Sequence, residues 1–144
     1  MTTPNIAIQR IYVKDLSLET PNSPHIFLST EPLNVDINLD VSSQSLGNSV
    51  FEVIERVTVT ARAGDKIAYL VELKQAVIAE ITNTADEAAL AQVLTVNMPH
   101  IIHPYARAHI ADFLIRAGFG PFNLPDISFE QVAQAQRGQV AEPA

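Results

Sequence analysis

Residues 33–41 read Leu-Asn-Val-Asp-Ile-Asn-Leu-Asp-Val, an unbroken alternation of apolar and polar side chains. Successive side chains of an extended chain point to opposite faces. Leu33, Val35, Ile37, Leu39 and Val41 therefore share one face, and Asn34, Asp36, Asn38 and Asp40 the other. A helix would scatter the same residues around its circumference. The segment is a strand with one face for a core and one for water, and it needs neighbours of the same period. They follow at once. Residues 50–61 put Phe51, Val53, Val57, Val59 and Ala61 on one face, with Glu55 as the exception, and Glu52, Arg56, Thr58 and Thr60 opposite. Residues 66–80 put Ile67, Tyr69, Val71, Leu73 and Val77 on the core face and Lys66, Leu70, Glu72, Lys74 and Glu80 on the other. Leu70 is a large apolar residue on an otherwise polar face. Ser42 to Ser49, with Gly47-Asn48, and Ala63-Gly64-Asp65 supply the turns.

An earlier run, Asn5 to Glu19, is also extended. Ile6, Ile8, Tyr12, Leu16 and Leu18 share one parity, Ile11 and Val13 the other. Apolar residues on both faces predict a strand covered on both sides, and in so small a domain that hints at a subunit contact. Thr20-Pro-Asn-Ser-Pro24 breaks this strand. Ile26, Phe27 and Leu28 follow as an apolar cluster in a loop, either pinned to the core or free as a flap.

Beyond residue 83 the period changes. Thr84 is positioned to cap a helix entered by Asp86 and Glu87, with Leu90, Val93 and Leu94 on its apolar side. Asn97-Met-Pro99 interrupts it. From Pro99 or Pro104 to Ala117 a longer helix is predicted, with Ile102, Tyr105, Ile110, Phe113 and Leu114 as its stripe. Gly118-Phe-Gly120-Pro121 ends it. Ser128 caps a last helix, Phe129 to about Gln136, and residues 1–4 and about 137–144 are expected to be disordered. Four strands followed by three helices give a single α+β domain over residues 1–144: a four-stranded antiparallel sheet with helices packed on one face.

Composition narrows the function. Apolar residues make up 47% of the 144, enough for a core. The formal charge of -7 disfavours nucleic acid and anionic lipid and favours basic partners. The chain has no cysteine, so disulfides and thiolate metal sites are impossible. It has neither a basic-then-apolar leader nor a run near the ~20 apolar residues of a membrane span, so a cytoplasmic location is expected. His100 and His103 are neighbours on a helix, but His109 falls on its far side, so the three cannot converge on a metal. No Gly-x-Ser-x-Gly elbow, phosphate loop or desolvated carboxylate pair is recognisable. A binding protein without a cofactor is expected, not an enzyme.

Several collinear segments resemble the SecB protein-export chaperones: Gln9-Arg-Ile-Tyr12-Val-Lys-Asp15, the Pro-Asn loop reaching Phe27, Glu52 to Ala61, Ala68 to Glu72, Pro104-Tyr-Ala-Arg107, and Phe122 to Phe129. The resemblance covers about residues 6–132. It implies a homotetramer, a dimer of dimers, that holds unfolded precursor proteins without ATP and delivers them to SecA, the ATPase motor of the Sec translocase. The motor's basic zinc-binding tail would meet the positions matching Asp15, Glu19, Leu70 and Glu72. An acidic patch with one apolar anchor suits such a tail. Client grooves between sheet and helices would be lined by Phe27, Ile37, Leu39, Tyr69, Val71 and Tyr105, residues that core packing could equally claim. His103 departs from the family, standing where a large apolar residue is usual, and the tail carries only Glu142 as an acid after Arg137. A SecB-like chaperone dedicated to an antitoxin is the alternative.

Overall fold

The computed structural model describes residues 2–141. The alternating segments become β1 (Asn5–Glu19), β2 (Leu33–Gly47), β3 (Val50–Ala63) and β4 (Lys66–Thr82), one antiparallel sheet in the order β1-β4-β3-β2. Strands β2, β3 and β4 are consecutive hairpins. The link after β1 crosses the sheet, so β1 pairs with the last strand and not the next. The first hairpin turns through Asn48 and Ser49, both left-handed (φ 56 and 63), the conformation that follows the strand twist. The second uses Gly64 at φ 63. β2 stays extended to Gly47, beyond the expected start of the turn at Ser42, because Ser43 to Ser45 remain paired with Phe51 to Val53.

β1 corrects the reading of two apolar faces. Its register against β4 shifts between Ile8 and Arg10 and again between Val13 and Asp15. Each β-bulge adds one unpaired residue and so exchanges the faces of everything beyond it. Ile6, Ile8, Ile11, Val13, Leu16 and Leu18 pair with Ile81, Ala79, Val77, Gln75, Leu73 and Val71, and all face the helices. Tyr12, opposite Ala76, faces away. The strand has one apolar face, so the expectation of a subunit contact loses its basis in two apolar faces. Ile8 and Val13 nonetheless remain 44% and 38% exposed at this edge.

The helical half starts with α1 (Glu87–Gln92), runs through a π-helical stretch (Val93–Asn97) and continues as α2 (Met98–Arg116). Asp86, not Thr84, is the cap: its carboxylate accepts from the Ala89 N–H at 2.8 Å. The interruption at Asn97-Met-Pro99 is a change of winding and not a break, with Pro99 in the first turn of α2. The buried stripe of α2 is Met98, Ile102, Ala106, Ile110 and Leu114, four residues apart. Tyr105 and Phe113, expected in that stripe, point outward and are 46% and 38% exposed. α3 (Phe129–Ala141) continues past Gln136, so the tail expected to be disordered is helical as far as Ala141; the remainder lies outside the described residues.

The core lies between sheet and helices in two apolar clusters. One holds Val57, Val59, Val71, Leu73, Ile110, Leu114 and Leu124; the other holds Val53, Val77, Ile81, Val93, Met98 and Ile102. Between them lie Glu55, Gln75 and His103, all buried. Burying each large aliphatic side chain stabilises by roughly 1.5–3 kcal/mol. A buried polar belt must be hydrogen-bonded to persist among them.

Candidate functional site

The sheet face turned away from the helices is built in rows, because directly opposed residues of antiparallel strands share a face. One row reads Glu19, Leu70, Thr60, Asp36, and the next Ser17, Glu72, Thr58, Asn38. A third reads Asp15, Lys74, Arg56, Asp40. Asp15, Glu19, Leu70 and Glu72 therefore meet on one face. The first two rows hold no lysine or arginine, whereas Asp15 shares its row with two cations. Leu70 stands half-buried with Glu19 beside it and Glu72 two residues along β4.

Further along this face lies a second polar group that periodicity alone does not reveal. Glu52 is buried, and it accepts hydrogen bonds from the Tyr12 hydroxyl, from Lys14 Nζ at 2.9 and 3.0 Å and from Gln44 Nε2 at 3.0 Å. Ala76, opposite Tyr12, is small enough for the phenol to reach across β4 to β3. Burial pushes the Glu52 carboxyl up, but the bonds from Tyr12, Lys14 and Gln44 and the Lys14 charge outweigh it and hold it below the ordinary 4.5. Burial, the same hydrogen bond and the carboxylate charge push the Tyr12 phenol up to about 12. The Lys14 ammonium, adjacent in sequence to Asp15, is thus held by Glu52.

On the helix side three aromatic rings converge. Phe119 packs on Phe27 and on Tyr69, each at 5.0 Å between centroids. Phe27 is carried by a 3-10 turn, His25–Leu28, that is pinned by buried Ile26 and by Asn22 Nδ2 donating to the Ile67 carbonyl at 2.8 Å. Ile26 is thus the pin, and Phe27, 48% exposed, the ring that packs on Phe119 and still reaches solvent. A groove of about 220 Å³ opens there, lined by Ile26, Phe27, Leu33, Gly118 and Phe119 among others. Gly118 sits at φ +93, and a Cβ on it would meet the Phe27 ring at 3.3 Å, so two requirements select glycine. Tyr69 is buried, which pushes its phenol up. Val71 is wholly buried beneath the same cluster, with Ile37 and Leu39 half-buried beside it. Tyr105 lies elsewhere, on the outward side of α2. Phe119 is the groove residue that sequence reading missed; its one signal is an aromatic ring between two glycines at a helix end.

The family described as preprotein translocase subunit SecB matches residues 1–140. This chain belongs to the SecB family of protein-export chaperones. Protein-export protein SecB of Janthinobacterium sp. (strain Marseille) is 48% identical over 139 residues, covering 96% of this chain and 84% of the relative. Its counterpart in Burkholderia vietnamiensis is 44% identical over 141 residues, covering 98% and 88%. Among solved structures, the SecB-like chaperone Rv1957 of Mycobacterium tuberculosis, in complex with a ChAD peptide from the HigA1 antitoxin, shares the fold. It superposes with a TM-score of 0.72 over 85% of this chain and 91% of that one, at 15% identity.

Within this SecB fold two histidines of α2, His100 and His103, stand against the same ring, Phe129. His103 is buried, with Nδ1 2.7 Å from Glu55 Oε2 and Nε2 2.9 Å from the Pro125 carbonyl. His100 stands edge-on to Phe129 at 6.1 Å. No group of three His, Asp or Glu side chains that could hold a metal occurs among the described residues, and no helix there is long and apolar enough to cross a membrane.

Proposed function

We propose that this chain holds unfolded precursor proteins in the groove around Phe27, Phe119 and Tyr69, and passes them to SecA through the opposite face of the sheet. The observation that carries the reading is this two-sidedness. One face offers an exposed aromatic ring, Phe27, over a groove whose apolar lining of Ile26, Leu33 and Phe119 is edged by Ser29 and Glu31, suited to a chain that presents apolar side chains in no fixed order. The other offers Leu70 between Glu19 and Glu72, suited to a basic tail with an apolar contact. Neither role needs a bond made or broken, so no enzymatic chemistry enters. The working particle is a homotetramer, a dimer of dimers, in the cytoplasm. Ile8 and Val13 at the β1 edge, and Ile101, Tyr105 and Phe113 on α2, are exposed apolar surface available to such an assembly.

The second reading is a chaperone dedicated to an antitoxin. Identities of 44–48% to protein-export relatives, against 15% to the antitoxin-bound chaperone, favour export. The test is light scattering of a urea-unfolded precursor diluted with and without the protein, on fractions sized by chromatography, alongside titration with a peptide of the SecA zinc-binding tail. Suppressed aggregation by a tetramer that also binds the tail is expected. Binding of neither ligand would refute the reading.

A further inference from the structure

Twelve residues, 117–128, join α2 to α3 as a strap across the core. The strap carries Phe119 and Phe122, half-buried on the cluster around Val71, and buried Leu124. α2 grips three consecutive strap residues with two side chains one turn apart. Arg107 donates from Nε to the Leu124 carbonyl and from an Nη to Asp126 Oδ1, both at 2.8 Å. His103 holds the Pro125 carbonyl between them at 2.9 Å.

The arginine grip is permanent at any ordinary pH. The histidine grip is not. Both ring nitrogens of His103 face oxygen, a carboxylate on one side and a carbonyl on the other. A neutral imidazole has one N–H and cannot donate to both. The Glu55–His103 pair must therefore hold one proton more than a neutral histidine beside a carboxylate. When that proton leaves, the one remaining N–H stays with the stronger acceptor, the Glu55 carboxylate, and the Pro125 carbonyl faces a ring lone pair at hydrogen-bond distance. Glu55 has no second donor to fall back on, since its Oε1 is buried without a partner, as is Oε1 of its cross-strand neighbour Gln75. Around His103 stand Glu55 from β3, the Arg107 charge from α2, itself paired with Asp126 of the strap, and the Phe129 ring edge of α3 at 5.5 Å; the β4 residue beside Glu55 is the neutral Gln75.

We propose that the Glu55–His103 pair is a proton-dependent latch on the strap, and that His103 is a positioning residue for the client groove. With the proton in place, Phe119 is held over Tyr69 and Val71 and the groove is narrow. Without it, the Pro125 carbonyl loses its histidine donor, the strap is left on the Arg107 anchors alone, and the floor beneath it becomes more reachable by an unfolded chain. The direction in pH follows from the shift. Burial pushes the imidazole pKa down, but the bonds to Glu55 and Pro125 and the Glu55 charge outweigh it, so the folded value lies above the ordinary 6.5. The latch is closed below that ordinary value and opens as pH rises through the folded one.

The inference rests on the reading of the aromatic groove as the client site, and the test separates the two. Hydrogen exchange of the strap in the full-length protein, corrected for intrinsic rate, is followed from about pH 6 to pH 9, spanning the histidine range. Protection in the native protein should fall by up to about tenfold per pH unit above the folded pKa, the limit for one linked proton. The double variant Glu55→Leu/His103→Phe, which replaces the pair by apolar groups, should show no such fall. Histidine ring NMR should find one imidazole, absent from the variant, that titrates above the ordinary 6.5. Identical exchange profiles in the two proteins, or a His103 titrating at or below the ordinary value, would overturn the latch. Affinity for a urea-unfolded precursor should rise with pH in the native protein only. A pH-dependent strap with unchanged client affinity would remove the positioning role. If no unfolded chain binds at any pH, the client reading fails, while exchange and NMR still decide the latch.

Discussion

Glu19 and Leu70 are direct partners across β1 and β4, with both side chains on the sheet face turned away from the helices. Leu70 contributes little to the core, so its truncation tests docking almost free of folding effects. Leu70→Ala should weaken binding of the SecA tail peptide about tenfold, roughly the 1.4 kcal/mol of a modest interface anchor. Stability should change by no more than about 0.5–1 kcal/mol. Glu72→Lys should weaken binding further at low salt, with the gap to native closing as salt screens the exposed charges. Calorimetric titration with urea melts as control reads both effects.

Glu55 and His103 make a second pair whose members are worth more together than apart. His103→Phe leaves the Glu55 carboxyl buried without its one partner and should cost about 3–5 kcal/mol, the penalty of an orphaned buried charge. Adding Glu55→Leu should restore most or all of it, because apolar groups then fill a boundary between two apolar clusters. Urea denaturation of the two variants at one pH measures the difference. In the native protein the pair's contribution should be full below pH 6.5 and decline as pH rises through the raised folded pKa of His103; in the double variant that decline should vanish.

Tyr12→Phe removes one of the donors that satisfy Glu52. A loss of about 1–3 kcal/mol in thermal or urea melts is expected, the cost of an under-satisfied buried acceptor. Ultraviolet titration of the native protein should show a phenol ionising at about pH 12, and that component should disappear in the variant.

Gln136 lays its side-chain amide along the open edge of β2, accepting from the Val41 N–H and donating to the Val41 carbonyl, both at 3.0 Å. The amide mimics one residue of a neighbouring strand. Gln136→Ala should destabilise by about 1–2 kcal/mol for the two bonds and speed exchange at Val41. An edge stripped of its cover should also associate more readily, which light scattering on storage would detect.

The sheet was largely legible because strand periodicity is a local property. Leu33 to Val41 alternates whatever it pairs with, and the paired Asn48 and Gly64 turns are demanded by left-handed backbone that few residues adopt. The same pattern exposed the anomalies. Leu70 stood out on a polar face, and Glu55 on an apolar one. β1 misled because a bulge has no mark in composition. Gln9 and Lys14 are ordinary strand residues, and only their mismatch against β4 reverses the faces. On α2, Tyr105 and Phe113 fit an apolar stripe as well as Ala106 does, and the helix turned its smaller residues inward, where the sheet lies close.

The sequence by itself determined the four strands, the order of strands before helices, the polar face of β4 that carries Leu70 and Glu72, and the family, because each is written in neighbouring residues or collinear segments. Only the tertiary structure decided that Glu55 and His103, two misfits 48 positions apart, satisfy each other. It alone decided that Phe119 returns from beyond α2 to close over Phe27 and Tyr69. Periodicity places a side chain on a face; which side chain waits opposite depends on register, bulges and the path of a strap, and these are settled by the packing of the whole chain.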